Sequence, residues 1–181
     1  GDLPIDTALA RKLVDRSFAA TFDPRAHWRE HSLEVQLPFL LARQPNLEVL
    51  PVCCSHLALD DCLDLGRILA RLITDHSEPV GIVASSDMSH YLTDEEARRL
   101  DRLAIDAALA RDPRLLYETV HANGITMCGV IPATVAMTRA TICDPELPKK
   151  AREGREDEIR LCMNCNEGCW GRCEELGPIT C

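Results

Sequence analysis

The sequence predicts an α/β protein with a mostly parallel sheet flanked by helices, followed by a helical, cysteine-rich tail. Two apolar runs, residues 47–54 and 79–87, have the length and β-branched content of buried strands. Around them apolar residues recur with helical spacing, so strands and helices alternate along the chain. The tail differs because five of the ten cysteines lie within residues 161–181. A chain of 181 residues has room for one ordinary domain and an appendage.

Five helices are predicted from apolar periodicity and from capping residues. Asp6 or Thr7 caps the first helix, and Pro38 should kink or interrupt the second. Thr93 caps the fourth, whose first turn is acidic, and Asn123 with the glycine after it can end the fifth. The predicted helices span residues 6–18, 30–43, 60–73, 93–112 and 112–123.

Charge and hydropathy restrict the function classes. The net charge of -9 and pI near 5.1 argue against binding to nucleic acid or to an anionic membrane, because phosphate binding needs clustered Lys and Arg. No apolar run approaches the roughly 20 residues that span a bilayer, and the N-terminal residues lack the pattern of a signal peptide. We therefore expect a cytoplasmic protein, in which clustered cysteines bind metal or act in redox chemistry more often than they form disulfides.

Three short motifs contain candidate site residues. His27, Glu30 and His31 spell HxxEH, which on one helix would let the histidines bind zinc while Glu30 acts as the base of a peptidase. The alternative is a surface histidine at a helix start. In SSDMSH, after the second predicted strand, Asp87 could orient His90 as an acid, base or ligand. Its serines and aspartate could equally cap the next helix, and no GxSxG elbow is present.

Cys128 forms the third motif, MCGVIPA, at a predicted strand-to-helix turn. A thiol at a helix N-terminus is a credible nucleophile or ligand for a soft metal. A buried, inert cysteine is the alternative.

The runs AHWREHSLEVQLPFL, VASSDMSHY and MCGVIPA, in this order, resemble the Memo family, also called protein B of the AmmeMemoRadiSam system. The resemblance covers residues 1–136. It implies a fold similar to the class III extradiol dioxygenases and a pocket that binds iron or copper. It matches Cys128 to the cysteine metal ligand of the family. The pocket positions that it implies are Glu30, His31, Asp87, His90 and Cys128.

Two histidine motifs of that family, an APHAGY-like and a PSHH-like loop, do not occur in this sequence. Of the implied ligand set only Cys128 is retained, with His31 and His90 as substitutes, so we expect weak metal binding. The candidate catalytic residues are His31, Asp87, His90 and Cys128.

The tail cysteines Cys162, Cys165, Cys169 and Cys181 have the spacing CxxCxxxCx11C, with Cys173 left over. This spacing favours a [4Fe-4S] cluster over zinc, because structural zinc sites more often show two CxxC pairs. The third interpretation of the tail cysteines is that they are reduced, free thiols. Residues 137–181 also resemble the iron-sulfur segment of old-yellow-enzyme-like flavin oxidoreductases. That resemblance implies a cluster that passes electrons to FMN, although the flavin barrel, and with it any FMN site, is absent from this chain.

The sequence therefore predicts a Memo-like domain over residues 1–136 and an iron-sulfur tail over residues 137–181. We expect a metal-binding, redox-related protein of oxidoreductase type, without full catalytic activity. The alternatives are an electron-transfer piece of an FMN and iron-sulfur NAD(P)H-dependent oxidoreductase, the zinc peptidase, and a scaffold with an empty pocket. The partners expected are a metal ion, a flavoprotein or AmmeMemoRadiSam-type proteins, and a homo-oligomer unless a partner covers the exposed edge.

Overall fold

The computed structural model describes residues 3–78 and 80–138. The tail cysteines and residues 139–181 of the predicted iron-sulfur segment lie outside these residues. In the described part the chain forms six α-helices and two short 3-10 helices. The α-helices are α1 (Thr7–Arg16), α2 (Leu37–Arg43), α3 (Leu59–Thr74), α4 (Asp94–Leu109), α5 (Pro113–Ala122) and α6 (Val130–Thr138). The 3-10 helices are Pro24–His27 and Glu34–Gln36.

The helix ends lie where the capping residues predict them. The Asp6 Oδ1 atom accepts a hydrogen bond from the Leu9 amide at 2.8 Å, so Asp6 is the N-cap of α1. Thr93 accepts one from the Glu96 amide at 3.4 Å and caps α4 in the same way. Helix α5 stops at Asn123, and Gly124 then takes a φ of 60°, a conformation that suits glycine. The capping predictions for these three helices are confirmed.

The core lies between α3, α5 and α6, with α4 and α1 packed on its sides. Leu72 of α3 and Leu116 of α5 are almost completely buried. Helix α6 is apolar on every side, but Thr134 is buried within it and donates its hydroxyl to the Val130 carbonyl at 2.7 Å. This bond satisfies a polar group that would otherwise oppose burial.

The stretch before and after His31 differs from the predicted kinked helix over residues 30–43. The chain forms the 3-10 turn Glu34–Gln36 and then α2, with Pro38 in the first turn, where proline is tolerated. His27 ends the other 3-10 helix and His31 follows in a non-helical turn. The prediction that these two histidines share a helix face is therefore wrong, and the peptidase geometry that depends on it is not formed.

In residues 3–78 and 80–138 the β-structure consists of a single parallel bridge between Ile5 and Val49. Its hydrogen bonds run from the Asp6 amide to the Val49 carbonyl and from the Val49 amide to the Pro4 carbonyl, both at 3.0 Å. The predicted strand at 47–54 contributes this single bridge, and the described residues of 79–87 are without a ladder. A strand requires a neighbour for its backbone groups. The parallel sheet therefore stays a prediction.

None of the helices in the described ranges has the length and apolar character required to cross a membrane.

Candidate functional site

Two loops meet at the start of α6 and bring Asp87 and Cys128 together, although they are 41 residues apart. The Asp87 amide donates a hydrogen bond to the Cys128 Sγ atom at 3.0 Å. The Cys128 amide donates to the Asp87 carbonyl at 3.3 Å, and the thiol lies 3.7 Å from the same oxygen. The peptide groups of Asp87 thus fix both the backbone and the sulfur of Cys128.

Ser86 holds the two loops together beside this contact. Its Oγ atom accepts a hydrogen bond from the Gly129 amide at 2.9 Å and donates to the Asp87 carbonyl at 2.7 Å. The same oxygen lies 4.0 Å from the Cys128 sulfur. Ser86 therefore fixes the position of the cysteine at the start of α6.

His90 is oriented by Thr126, two residues before the cysteine. The His90 amide donates to the Thr126 Oγ1 atom at 2.7 Å, and the His90 Nδ1 atom lies 2.7 Å from the Thr126 carbonyl. A carbonyl only accepts, so we assign the proton to Nδ1. In the neutral ring, Nε2 then has a free lone pair and lies 3.9 Å from the Asp87 Oδ2 atom. This tautomer leaves Nε2 available as a base or as a metal ligand.

The loop after this histidine contains two unusual features. Tyr91 has a φ of 60°, which costs a non-glycine residue energy, and its ring is fully exposed. The Ser89 amide is anchored to the Asp101 carboxylate of α4 at 2.9 Å. The Ser89 hydroxyl is buried and has no hydrogen-bond partner in the part of the chain that the structure describes.

Glu30 and His31 form hydrogen bonds with the backbone of the residues that follow them. The Glu30 carboxylate accepts hydrogen bonds from the Ser32 and Leu33 amides at 2.6 and 3.1 Å. Burial alone would raise the pKa of Glu30, but these hydrogen bonds outweigh it and the pKa is lowered. The carboxylate is therefore ionised and bound to its own backbone. His31 is exposed, and its carbonyl accepts from the Val35 amide at 3.1 Å.

The residues do not fit a complete metal site by themselves. Over residues 3–78 and 80–138, no three His, Cys, Asp or Glu side chains lie close enough to share a metal ion. The nearest approach to a donor set is Cys128 with His90 and Asp87, in which one sulfur, one imidazole and one exposed carboxylate border the same loop pair. His31 is not brought into this set by any described contact. The arrangement places a thiol, an imidazole and a carboxylate on adjoining loops.

A shallow groove of about 490 Å³ lies elsewhere, in the segment that precedes α2. It is lined by Arg25, Ala26, Trp28, Arg29 and Glu30. The Arg25 Nε atom is paired with Asp23 at 2.9 Å, so this guanidinium already has a counterion. None of the loop residues beside Cys128 lines this groove.

Sequence reasoning predicted the Asp87–His90 pair and the importance of Cys128, but it missed Ser86, Thr126 and Gly129. The glycine directly after the cysteine was the available signal, because a glycine at a turn often marks a close approach of two backbones. The Thr126 contacts had no comparable signal, since they join residues 36 positions apart.

Comparison with known proteins identifies the family to which the sequence is similar. The chain matches the family described as Memo-like protein over residues 1–153, so the similarity extends beyond residue 136. No solved structure matches the chain.

Three relatives named MEMO1 family protein illustrate the match. The protein of Aquifex aeolicus is 40% identical over 144 residues, which is 78% of this chain and 52% of the relative. The protein of Archaeoglobus fulgidus is 35% identical over 137 residues, 76% of this chain and 52% of the relative. The protein of Methanococcoides burtonii is 32% identical over 160 residues, 88% of this chain and 60% of the relative. The chain spans about half the length of the curated relatives it matches.

The order of the three motifs, the contact of Cys128 with the Asp87 loop and the match over residues 1–153 agree with one another. The chain belongs to the Memo-like protein family.

Proposed function

We propose that this Memo-like protein performs thiol-centred, redox-related chemistry at Cys128, with His90 and Asp87 as the titratable groups beside it. The observation that carries the proposal is the hydrogen bond from the Asp87 amide to the Cys128 Sγ atom at 3.0 Å. An N–H group directed at sulfur stabilises negative charge on that sulfur and fixes its direction. The free Nε2 lone pair of His90 supplies a base on the adjoining loop.

Peptide-resolved alkylation with iodoacetamide tests this proposal. Cys53 is an exposed thiol elsewhere in the same chain and serves as the internal control. We expect His90→Asn to slow the alkylation of Cys128 several-fold and to leave the rate at Cys53 unchanged. Equal rates at Cys128 in the two proteins would refute a role for His90. Treatment with hydrogen peroxide followed by a sulfenic-acid trap then shows whether Cys128 is oxidised before Cys53.

Weak metal binding is the second part of the proposal. A reduced thiolate and an imidazole suit a soft or borderline ion such as copper or iron, but a set of two or three donors without preorganisation binds weakly. Competition against a chromophoric chelator measures the affinity. We expect Cys128→Ser to abolish binding and His90→Asn to weaken it. His31→Asn tests the third predicted ligand, because a loss of affinity would include His31 in the metal site.

For the tail, which lies outside the described residues, we propose a [4Fe-4S] cluster on Cys162, Cys165, Cys169 and Cys181. The support is the CxxCxxxCx11C spacing. The test is to measure iron and acid-labile sulfide in the protein after anaerobic reconstitution. Cys165→Ser should abolish cluster formation, whereas Cys173→Ser, the matched control in the same segment, should retain it. Zinc alone, unaffected by Cys165→Ser, would overturn the cluster.

A second candidate function is electron transfer to a separate flavoprotein of the old-yellow-enzyme type, and its support is the resemblance of residues 137–181 to the iron-sulfur segment of such enzymes. In this proposal the flavin is bound by the partner. Oxidation of the reconstituted, reduced cluster by an added FMN protein would support the proposal. A cluster that forms but does not reduce such a protein would refute it.

A further inference from the structure

Two cysteines, Cys53 and Cys54, are adjacent in the segment that joins the Val49 bridge to α3. Cys53 is exposed, whereas Cys54 is partly buried and packs against the hydrophobic core cluster. The described hydrogen bonds that hold this segment lie at its two ends, at Val49 and at Leu57, whose carbonyl accepts from the Tyr117 hydroxyl at 3.1 Å. One peptide group therefore joins a thiol that solvent reaches to a thiol that contacts the core.

A third thiol, that of Cys62 in α3, is buried near this pair. Cys62 is fully buried and belongs to the core cluster against which Cys54 packs. Its Sγ atom lies 4.0 Å from the Leu57 carbonyl oxygen. Burial and then the charge of Cys53 raise the pKa of Cys54, and burial and then the charge of Cys54 raise the pKa of Cys62. The three thiols thus form a series from solvent to core, in which each interacts with the next.

We propose that Cys53 and Cys54 are a redox modification site, at which a peroxide converts the two thiols to a reversible disulfide. Cys53 is the thiol that the peroxide reaches, and Cys54 is the next residue along the chain. A group joined by one peptide unit is present at a high effective concentration, which favours the closing step. Cys62 is a poor partner because thiols react as thiolates, and its pKa of about 11 keeps it protonated near neutral pH. This site is independent of the chemistry proposed for Cys128.

The oxidation has two steps. In the first, the Cys53 thiolate attacks the peroxide, a sulfur–oxygen bond forms as the oxygen–oxygen bond breaks, and hydroxide leaves. In the second, the Cys54 sulfur attacks the sulfenic acid of Cys53, a sulfur–sulfur bond forms, and water leaves. Two electrons thus pass from the two thiols to hydrogen peroxide, which ends as two molecules of water. Two molecules of a low-molecular-weight thiol such as glutathione reverse the oxidation and leave as their own disulfide.

The spacing of adjacent cysteines makes this disulfide easy to reduce. Across a trans peptide, consecutive Cα atoms are about 3.8 Å apart, whereas disulfides usually join Cα atoms about 4.4–6.8 Å apart. The bond is therefore strained, and strained disulfides are the more reducible ones. Its formation also turns the Cys54 sulfur toward Cys53 and away from the core cluster that Cys54 contacts in the reduced protein. We therefore expect oxidation to destabilise the fold.

Peptide mapping of the full 181-residue chain tests the pair. The reduced protein is treated with hydrogen peroxide, its remaining thiols are blocked with iodoacetamide in urea, and the chain is cleaved at aspartate. Asp60 and Asp61 lie between the two cysteines of the pair and Cys62, so cleavage separates them. We expect one fragment with Cys53 and Cys54 both unblocked, lighter by two hydrogen atoms than its reduced form. We name it the light fragment, and glutathione should abolish it.

Two results of the mapping would overturn the proposal. One is a fragment cross-linked to that of Cys62 or of another cysteine. The other is Cys53 as a sulfinic acid beside a blocked Cys54, because the second thiol would then have failed to intercept the sulfenic acid.

Variants identify the partner of Cys53. Cys62→Ala should form the light fragment at the rate of the unchanged chain, and its loss in a folded Cys62→Ala chain would also contradict the pair. Cys54→Ala should leave Cys53 as a sulfenic acid that a chemical trap captures. Cys128→Ser should form the light fragment at an unchanged rate, so a failure of this proposal and a failure of the function proposed for Cys128 are distinguishable.

The unfolding midpoint measures the withdrawal of Cys54 from the core. Peroxide should lower the midpoint of the unchanged chain, and glutathione should restore it. Cys53→Ser, at an exposed position, is the matched control and should keep its midpoint under the same treatment. An equal fall in the two proteins would assign the lost stability to oxidation elsewhere and would refute the withdrawal of Cys54.

Discussion

Gly129 and Ser86 are so close that position 129 has no room for a side chain. A Cβ atom built there would lie 2.3 Å from the Ser86 Cβ and 2.4 Å from the Ser85 carbonyl oxygen. The clash involves backbone, which a rotamer change cannot relieve. The contact that aligns Cys128 with Asp87 therefore depends on a glycine at this position.

Gly129→Ala should separate the two loops and break the hydrogen bond from the Asp87 amide to the cysteine. We expect a loss of about 1–3 kcal/mol in the free energy of unfolding, measured by urea denaturation. The rate of alkylation at Cys128 should change as well. Gly81→Ala is the matched control, since a Cβ at position 81 meets nothing within 4 Å. An unchanged Cys128 rate in Gly129→Ala would contradict the role of this contact.

The packing of α3 on α6 also depends on a glycine, Gly66, because there is no room for a side chain at that position. A Cβ atom at position 66 would lie 2.6 Å from both the Thr138 Cβ and the Val135 carbonyl oxygen. In a free helix, replacing glycine by alanine gains about 1 kcal/mol. Here the overlap should outweigh that gain, so Gly66→Ala should lower the free energy of unfolding by about 1–2 kcal/mol. A raised unfolding midpoint of Gly66→Ala would mean that α6 moves to make room for the added methyl group.

The Asp6–His76 pair joins the N-terminus of α1 to the loop after α3, with 3.0 Å between the Asp6 Oδ2 and the His76 Nε2 atoms. The Glu78 backbone and the Asp6 carboxylate raise the pKa of His76 above its ordinary 6.5, against smaller opposition from burial and Lys12. The Leu9 amide and then His76 lower the pKa of Asp6 below its ordinary 3.8, against burial.

The sign of the pH effect follows from these two directions. The stabilisation by His76 is fully present below pH 6.5 and is lost as the pH rises through its higher folded pKa. The stabilisation by Asp6 is present above 3.8 and is lost as the pH falls through its lowered pKa. The destabilisation caused by His76→Asn should therefore be largest near pH 5 to 6 and should shrink toward pH 9. His56→Asn, at an exposed histidine, is the matched control for the loss of an imidazole.

The thiol of Cys62 should be inert in the folded protein. Cys62 is fully buried, and burial, with Cys54 and Asp61 nearby, raises its pKa to about 11. Mass spectrometry after iodoacetamide at mildly alkaline pH should show Cys53 modified and Cys62 intact, and both modified in urea. Modification of native Cys62 at the Cys53 rate would indicate that α3 opens readily.

Local signals were sufficient for the helices with clear caps. Asp6, Thr93 and Asn123 act within four residues of themselves, and a sequence contains that information directly. The helix predicted over residues 30–43 is confirmed for Leu37–Arg43, but residues 30–36 form turns because the Glu30 carboxylate binds the backbone amides that follow it.

Long-range contacts escaped prediction for a different physical reason. The spacing of Asp87 and His90 suggested a local pair, and their side chains do lie 3.9 Å apart. The contact of Asp87 with Cys128, and that of His90 with Thr126, depend on how α6 packs on α3 and α5. No sequence pattern in either loop indicates how these helices pack.

The Ile5–Val49 bridge has a consequence for the kinetics of the molecule. It closes a loop of about forty residues with two backbone hydrogen bonds, while α1 is fixed by burial of Leu9 and Leu13. Opening this bridge requires far less free energy than unfolding α3, α5 and α6. We therefore expect the Val49 amide to exchange with solvent faster than the amides in the middle of α3, α5 and α6, which hydrogen exchange followed by mass spectrometry would measure.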